Sequence, residues 1–200
     1  MNLFYSKNTF TAILMVLLAF FQANAQCPPG AVTFTSQAEI DNFIVKYPNC
    51  TEISENLTIS GAGITNLEGL RNLRSLKAQA NIVHNTDLTS LNGLRNVKNA
   101  HRIWIANNAV LSSLNGFTSL ENVGERLFVG ANPNLVQIGV FNNLKTCKFI
   151  TVDGNPQLPS FDGFPAITTV DDIDIKNNPK LQSIAPLTTL TKLNGFLNIE

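Results

Sequence analysis

Two histidines, three cysteines and one tight group of aspartates are the residues whose chemistry matters first in this chain of 200 residues. A histidine with cysteine, histidine or carboxylate neighbours at ligand spacing would hold zinc. His84 and His101 lie in different parts of the chain's repeat, and neither has such a neighbour. Asp171, Asp172 and Asp174 form the only acidic cluster, with Asp172 and Asp174 at the period-two spacing that shares one face of a strand. A hard cation would use such oxygens. Calcium asks for about six or more of them, however, and no Asp-x-Asp-x-Asp-Gly loop is present, so a solvated acidic face is the expectation. No nucleophile elbow and no phosphate-cradling glycine loop occurs. A polysaccharide-cleaving solenoid would set carboxylates and basic residues between long loop walls. Here the turn lengths vary by one residue, which leaves no room for walls. The expectation is a non-enzyme with no catalytic residue, no metal and no small-molecule cofactor.

Binding is the chemistry that remains. Trp104 is the only tryptophan, and Phe128 falls at the same place in the next repeat. Arg102 and Arg126 stand two residues before them, on the same face of a strand. Two aromatics beside two arginines suit a sugar ring or a partner protein. Aromatic neighbours on a sheet also stabilise strand pairing by about 0.2–1 kcal/mol, so this cluster has a structural use as well.

The elements that position these residues follow from self-similarity. Ile59, Ile82, Ile105, Val129, Val152, Ile175 and Ile199 recur at intervals of 23 or 24 residues. Two residues earlier run Leu57, Ala80, Ile103, Leu127, Ile150, Ile173 and Leu197, so each pair marks a short strand with one apolar face. Further apolar columns follow in register, for example Leu67, Leu91, Leu114, Ile138, Phe161 and Ile184. One coil of this length cannot bury its own apolar residues, whereas stacked coils give every column a continuous partner.

Asn85, Asn108, Asn132, Asn155 and Asn178 form a polar column three residues past the strand. Asparagine tolerates turn dihedrals, and its amide bonds nearby backbone. A structural asparagine ladder at a corner is the expectation, with Pro133, Pro156 and Pro179 stiffening it. Gly69, Gly93, Gly116 and Gly163 mark a second corner that requires positive φ or close approach; Val140 and Pro186 depart from it. The short, glycine-broken stretch from Leu88 to Leu94 favours strands on all sides. The predicted fold is all-β: a right-handed parallel β-helix with 23–24 residues per turn and an N-terminal cap helix.

Ser36-Gln37-Ala38-Glu39 reads as a capping box, and Ile40, Phe43 and Ile44 make one apolar face at helical spacing before Pro48. This helix is expected to cover the open end of the stack. Cys27 and Cys50 flank it and are paired; Cys147 falls on an inward apolar column and is left free. Ahead of them, Lys7, the apolar run Ala12–Phe21 and Ala23-Asn24-Ala25 make a signal peptide cleaved near Ala25. The run is too short to span a bilayer. Formal net charge is zero, which argues against nucleic acid or an anionic membrane as partner.

The coil pattern Leu-x-Ile-x-x-Asn-x-x-Leu-x-x-Leu-x-Gly-Leu-x-x-Leu, after a cysteine-tied helix, resembles the receptor L-domain of the insulin and epidermal growth factor receptor families. It is more similar to secreted, leucine-rich, L-domain-like proteins of the Bacteroidetes type, on Cys27-Pro28-Pro29-Gly30 and on Phe34 to Asp41. That resemblance implies an L-domain-like solenoid, export, and a surface or secreted role without the kinase of the animal receptors. It also implies a sorting domain beyond Glu200, so the chain is expected to be truncated there. The organisation read from the sequence is a signal peptide at 1–25, a cap at 26–55 and a solenoid at 56–200. The expected function is a secreted or cell-surface binding or adhesion module for protein or glycan, with a polysaccharide-active β-helix enzyme and a purely structural spacer in a longer surface protein as the alternatives.

Overall fold

The computed structural model describes residues 27–139, 141–184, 187 and 189–200. The leader at 1–25, its cleavage point near Ala25, and Val140 and Pro186 lie outside the described residues.

The chain is built mainly of short strands in one parallel sheet, a solenoid-like arrangement with few helical turns. Eleven strands make up the sheet. They are β1 (Val32–Phe34), β2 (Glu52–Ile53), β3 (Leu57–Ile59), β4 (Ser75–Val83), β5 (Asn99–Ala106), β6 (Asn122–Gly130), β7 (Thr146–Asp153), β8 (Thr169–Val170), β9 (Asp172–Lys176), β10 (Lys192–Leu193) and β11 (Leu197–Ile199). Each repeat lands its strand directly on the one before: Leu57 pairs with Ala80, Ala80 with Ile103, Ile103 with Leu127 and Leu127 with Ile150. The register shifts within β4, β5 and β6, so each long strand turns a corner and contributes to two sides. A third side is pinned by the isolated parallel bridges Ser113–Gln137 and Ser160–Ser183.

The inward columns form one continuous core from Val32 to Ile175. At roughly 1.5–3 kcal/mol for each fully buried aliphatic side chain, this stack is the main source of stability. Phe117, Phe141 and Phe164 continue it as an internal aromatic pile, with ring centroids 6.2 and 5.1 Å apart.

Strands do not occupy every side. Glu68–Leu70, Asn92–Leu94 and Asn115–Phe117 are 3₁₀ turns. Leu94 N–H donates to Leu91 O at 2.9 Å, and the three-residue period turns both leucines inward. Glycine makes this possible by close approach rather than by positive φ. A Cβ on Gly116 would lie 2.0 Å from Leu91 O. Glycine in the middle of the motif therefore signals a tight turn, not a broken strand.

The helix Gln37–Lys46 has the expected capping box, with Glu39 N–H on Ser36 Oγ and the Glu39 carboxylate on the Ser36 and Thr35 N–H groups. Ile40 and Phe43 are buried and Ile44 is half-buried. The helix stands where a preceding coil would stand. Thr89 N–H donates to Thr65 O of the coil below; one coil earlier, Thr65 N–H donates to Gln37 Oε1 at 2.9 Å. A side-chain amide thus supplies the acceptor that a further coil would have given. The Cys27–Cys50 disulfide is formed and ties the two ends of this segment together.

Candidate functional site

Trp104 and Phe128 sit opposite each other on β5 and β6, on the outward side of the sheet. Their neighbours on the same line are Asn81, Thr151, Asp174 and Asn198, in the order the sequence columns require. The rings are stacked, with centroids 3.8 Å apart and planes 10° from parallel. Both residues are half-buried. Small residues make room for them: a Cβ on Gly130 would meet Phe128 Cε1 and Cζ at 2.5 Å, and Ala106 in the next strand is buried. The Phe128 ring reclines along its own strand over Gly130, which carries no side chain.

Arg102 and Arg126 are register neighbours and share this face with the rings. They are held differently. Arg102 Nη2 reaches both oxygens of Glu125, at 2.5 and 2.6 Å. That hydrogen bond and charge hold the Glu125 carboxyl below the usual range. His101 Nε2 stands 3.4 Å from the same carboxylate. Arg126 Nη1 donates to Thr151 Oγ1 at 3.2 Å, and its guanidinium lies 5.0 Å from the centre of the Phe149 ring. A cleft of about 250 Å³ opens between Gln79, Arg102, Ile103, Trp104, Glu125 and Arg126. Gln79 Nε2, at the edge of this cleft, donates to Asn81 Oδ1 at 2.6 Å.

The two aromatics and the two arginines stand where their columns place them; Glu125, Phe149 and Gln79 join them without having been expected there. Phe149 and Gln79 occupy the arginine line, two residues before the central column, and were legible there. Glu125 was not, because it lies in the register shift between Val123 and Arg126, where period-two reasoning fails.

The remaining polar groups are engaged in the structure itself. Asn85 Nδ2 donates to Asn108 Oδ1 at 2.9 Å, Asn108 Nδ2 to Asn132 Oδ1 at 3.2 Å, and the line continues through Asn155 to Asn178. Each of these amides also bonds a strand carbonyl, as Asn132 Nδ2 does with Ile105 O. The strained dihedral lies one residue earlier than the sequence suggests. His84, Asn107, Ala131, Gly154 and Asn177 carry the positive φ, while the ladder asparagines point inward.

In the acidic cluster, Asp171 accepts from Asn194 Nδ2, Asp172 from the Phe196 N–H, and Asp174 from Asn198 Nδ2 and the Lys176 ammonium. Among the described residues, no group of three or more histidines, cysteines and carboxylates could hold a metal ion. Cys147 is buried on the line of Val123 and Val170, and burial pushes its thiol up to about 12. No described helix is long and apolar enough to cross a membrane.

Comparison with protein families, with curated proteins and with solved structures finds no match to this chain.

Proposed function

We propose that this chain is an exported binding module: a right-handed parallel β-helix of the L-domain-like kind, released or displayed at the cell surface after cleavage near Ala25. Its working surface is the outward sheet face around Trp104 and Phe128, offered to a protein or a glycan.

One observation carries the reading. Two large rings are stacked and half-exposed in the middle of a sheet face, with two guanidinium groups beside them. Apolar surface ringed by polar groups is the composition of recognition sites. A disulfide between Cys27 and Cys50 agrees with an oxidising compartment outside the cytosol. The carboxylates of the acidic cluster are bonded to their own neighbours, which favours binding over acid–base chemistry.

The test compares wild type with the Trp104→Ser, Phe128→Ser double variant on arrays of glycans and of extracellular proteins. The double variant is expected to keep a cooperative thermal transition, lowered by the loss of the ring stack, and to lose its ligand. Unchanged binding to every ligand that wild type recognises would remove this face from consideration.

A further inference from the structure

We infer that the protein holds a polyuronate, an acidic polysaccharide, along a basic side that runs up the stack from Arg71 to Lys148. This side adjoins the aromatic face at Arg102 and Arg126. It goes beyond the proposed function and rests on it only for export.

The formal net charge of zero conceals a division along the chain. Residues 71–149 hold nine lysines and arginines against three carboxylates, Asp87, Glu121 and Glu125. All nine cations fall within 71–77, 95–102, 121–126 and 145–148, and none falls in the stretches between. These segments are the same part of successive coils. Lys98 N–H donates to Arg74 O at 2.8 Å, Glu121 N–H to Lys98 O at 2.8 Å, and Lys145 N–H to Glu121 O at 2.9 Å. The cations therefore gather on one side of the stack and at the corner where it meets the aromatic face.

Part of this charge is matched within the protein. Lys77, Arg95, Lys98 and Arg102 pair with Glu52, Glu68, Glu121 and Glu125. Arg71, Arg74, Arg126, Lys145 and Lys148 make no ion pair among the described residues. All but Arg126, which is half-buried at the corner, are exposed. With neighbouring strands about 4.8 Å apart, the side offers roughly one free cation per strand spacing.

That density selects the ligand. Duplex DNA carries a negative charge for about every 1.7 Å of its axis. Most of its phosphates would face no free cation here, and some would face Glu121. A polyuronate carries a single carboxylate on each ring, and a ring is close to one strand spacing in length. Arg74 and Lys145 lie three strand spacings apart, about 14 Å. A short chain therefore reaches the free cations at both ends of the side, and its hydroxyls suit the ion pairs between them. Single-stranded nucleic acid gains its affinity partly by stacking bases on aromatic side chains, and the four basic segments contain no Phe, Tyr or Trp. An anionic membrane gains by burying apolar side chains, and none of the exposed large hydrophobics lies in these segments.

The test is fluorescence polarisation of end-labelled hexagalacturonate and hexamannuronate titrated with the folded protein at low salt, with mannohexaose as the neutral control. Saturable binding of at least one uronate chain is expected, lost by about 0.5 M sodium chloride, and none of the neutral chain. The triple variant Arg74→Gln, Lys145→Gln, Lys148→Gln alters exposed side chains without ion pairs, so its thermal transition should be unchanged. It should bind about tenfold more weakly, the loss of three exposed charge contacts. The Trp104→Ser, Phe128→Ser variant should bind the uronate chain as wild type does. No binding of either uronate chain, or undiminished binding by the triple variant, would overturn the inference. Tighter binding of a short DNA duplex or of phosphatidylserine vesicles at the same salt would overturn it too. So would uronate binding that is lost in the aromatic double variant and kept in the triple variant, and that result would leave the aromatic face as the binding surface.

Discussion

The Cβ that Gly93 lacks would lie 1.6 Å from the carbonyl oxygen of Leu67, one coil below. Neither atom can move away. Leu67 O accepts from Leu70 N–H at 2.9 Å, which closes its own 3₁₀ turn. The same relation joins Gly69 to Ile40 O of the cap helix, at 1.8 Å. Coils can stack at this corner only because their backbones touch.

Gly93→Ala is therefore expected to destabilise by about 3 kcal/mol or more, the upper range of overpacking against a rigid neighbour. Gly63 is the control. Its Cβ would meet nothing within 4 Å, but its φ is +78°. Gly63→Ala should cost only about 1 kcal/mol, the left-handed penalty. Chemical denaturation of the two variants distinguishes close approach from dihedral strain.

Ala131 tests the neighbouring corner from the other direction. It holds φ at 51° without the freedom of Gly154, which occupies the equivalent place in the next coil. Its side chain is exposed, so nothing is lost from the core on removing it. Relief of about 1–2 kcal/mol of left-handed strain exceeds the roughly 0.4–1 kcal/mol of extra chain entropy that glycine brings to the unfolded state. Ala131→Gly is expected to stabilise by about 0.5 kcal/mol, and Ala131→Val to destabilise. Thermal melts of both variants check the sign.

The asparagine ladder is an interior feature. Asn132 donates to Ile105 O, Gly130 O and Asn155 Oδ1 and accepts from the Asn108 N–H and side chain, all out of solvent. Asn132→Ala strands the Asn108 N–H and the Ile105 carbonyl. At about 1–3 kcal/mol for each buried group left unpaired, a loss of about 3 kcal/mol is expected. Hydrogen exchange at Asn108 N–H, which the buried bond to Asn132 Oδ1 is expected to slow in wild type, should accelerate along with the fall in denaturation midpoint.

These corners show which parts of the fold were readable in advance. The apolar columns and the strand register follow from spacing alone, because each coil has one arrangement that buries all its columns at once. The capping box and the cysteine pairing were equally local. The 3₁₀ turns were not. Leu91 and Leu94 stand three residues apart, so a straight strand would turn them to opposite faces; both are buried because the chain makes a 3₁₀ turn there, and the close approach of Gly93 to Leu67 O that permits the turn is a contact between coils, which spacing within one coil does not show. The site divides in the same way. Trp104 and Phe128 stack because their register is set by period, whereas Glu125 reaches Arg102 from a register shift that no periodic pattern reveals.

Cys147 is expected to be inert while the protein is folded. Its thiol donates to Phe149 O at 3.2 Å, is 3% exposed and has been pushed up to about 12. Almost no thiolate exists at neutral pH, and thiolate is the reactive form. Iodoacetamide followed by intact mass measurement should show no adduct until denaturant is added, then one. Cys147→Val should cost under about 1.5 kcal/mol, because valine already fills this line at Val123 and Val170.

The cap gives the protein a directed response to acid. The Thr35 N–H bonded to Glu39 holds that carboxyl below its ordinary 4.5, with further help from Ser36. Asp87, bonded to the Gly63 N–H, is lowered in the same way. For a carboxyl whose folded value lies below its unfolded one, the unfolded state binds protons first as pH falls. The stabilisation is complete above about pH 4.5 and is lost as pH drops through the folded value. Glu39→Gln removes the charge that the capping N–H groups attract and keeps the shape. The variant should melt below wild type at neutral pH, and the gap should close as the solution is taken toward pH 3. A gap that stayed constant across that range would mean that the capping box stabilises the helix by packing and neutral hydrogen bonds rather than by the charge on Glu39.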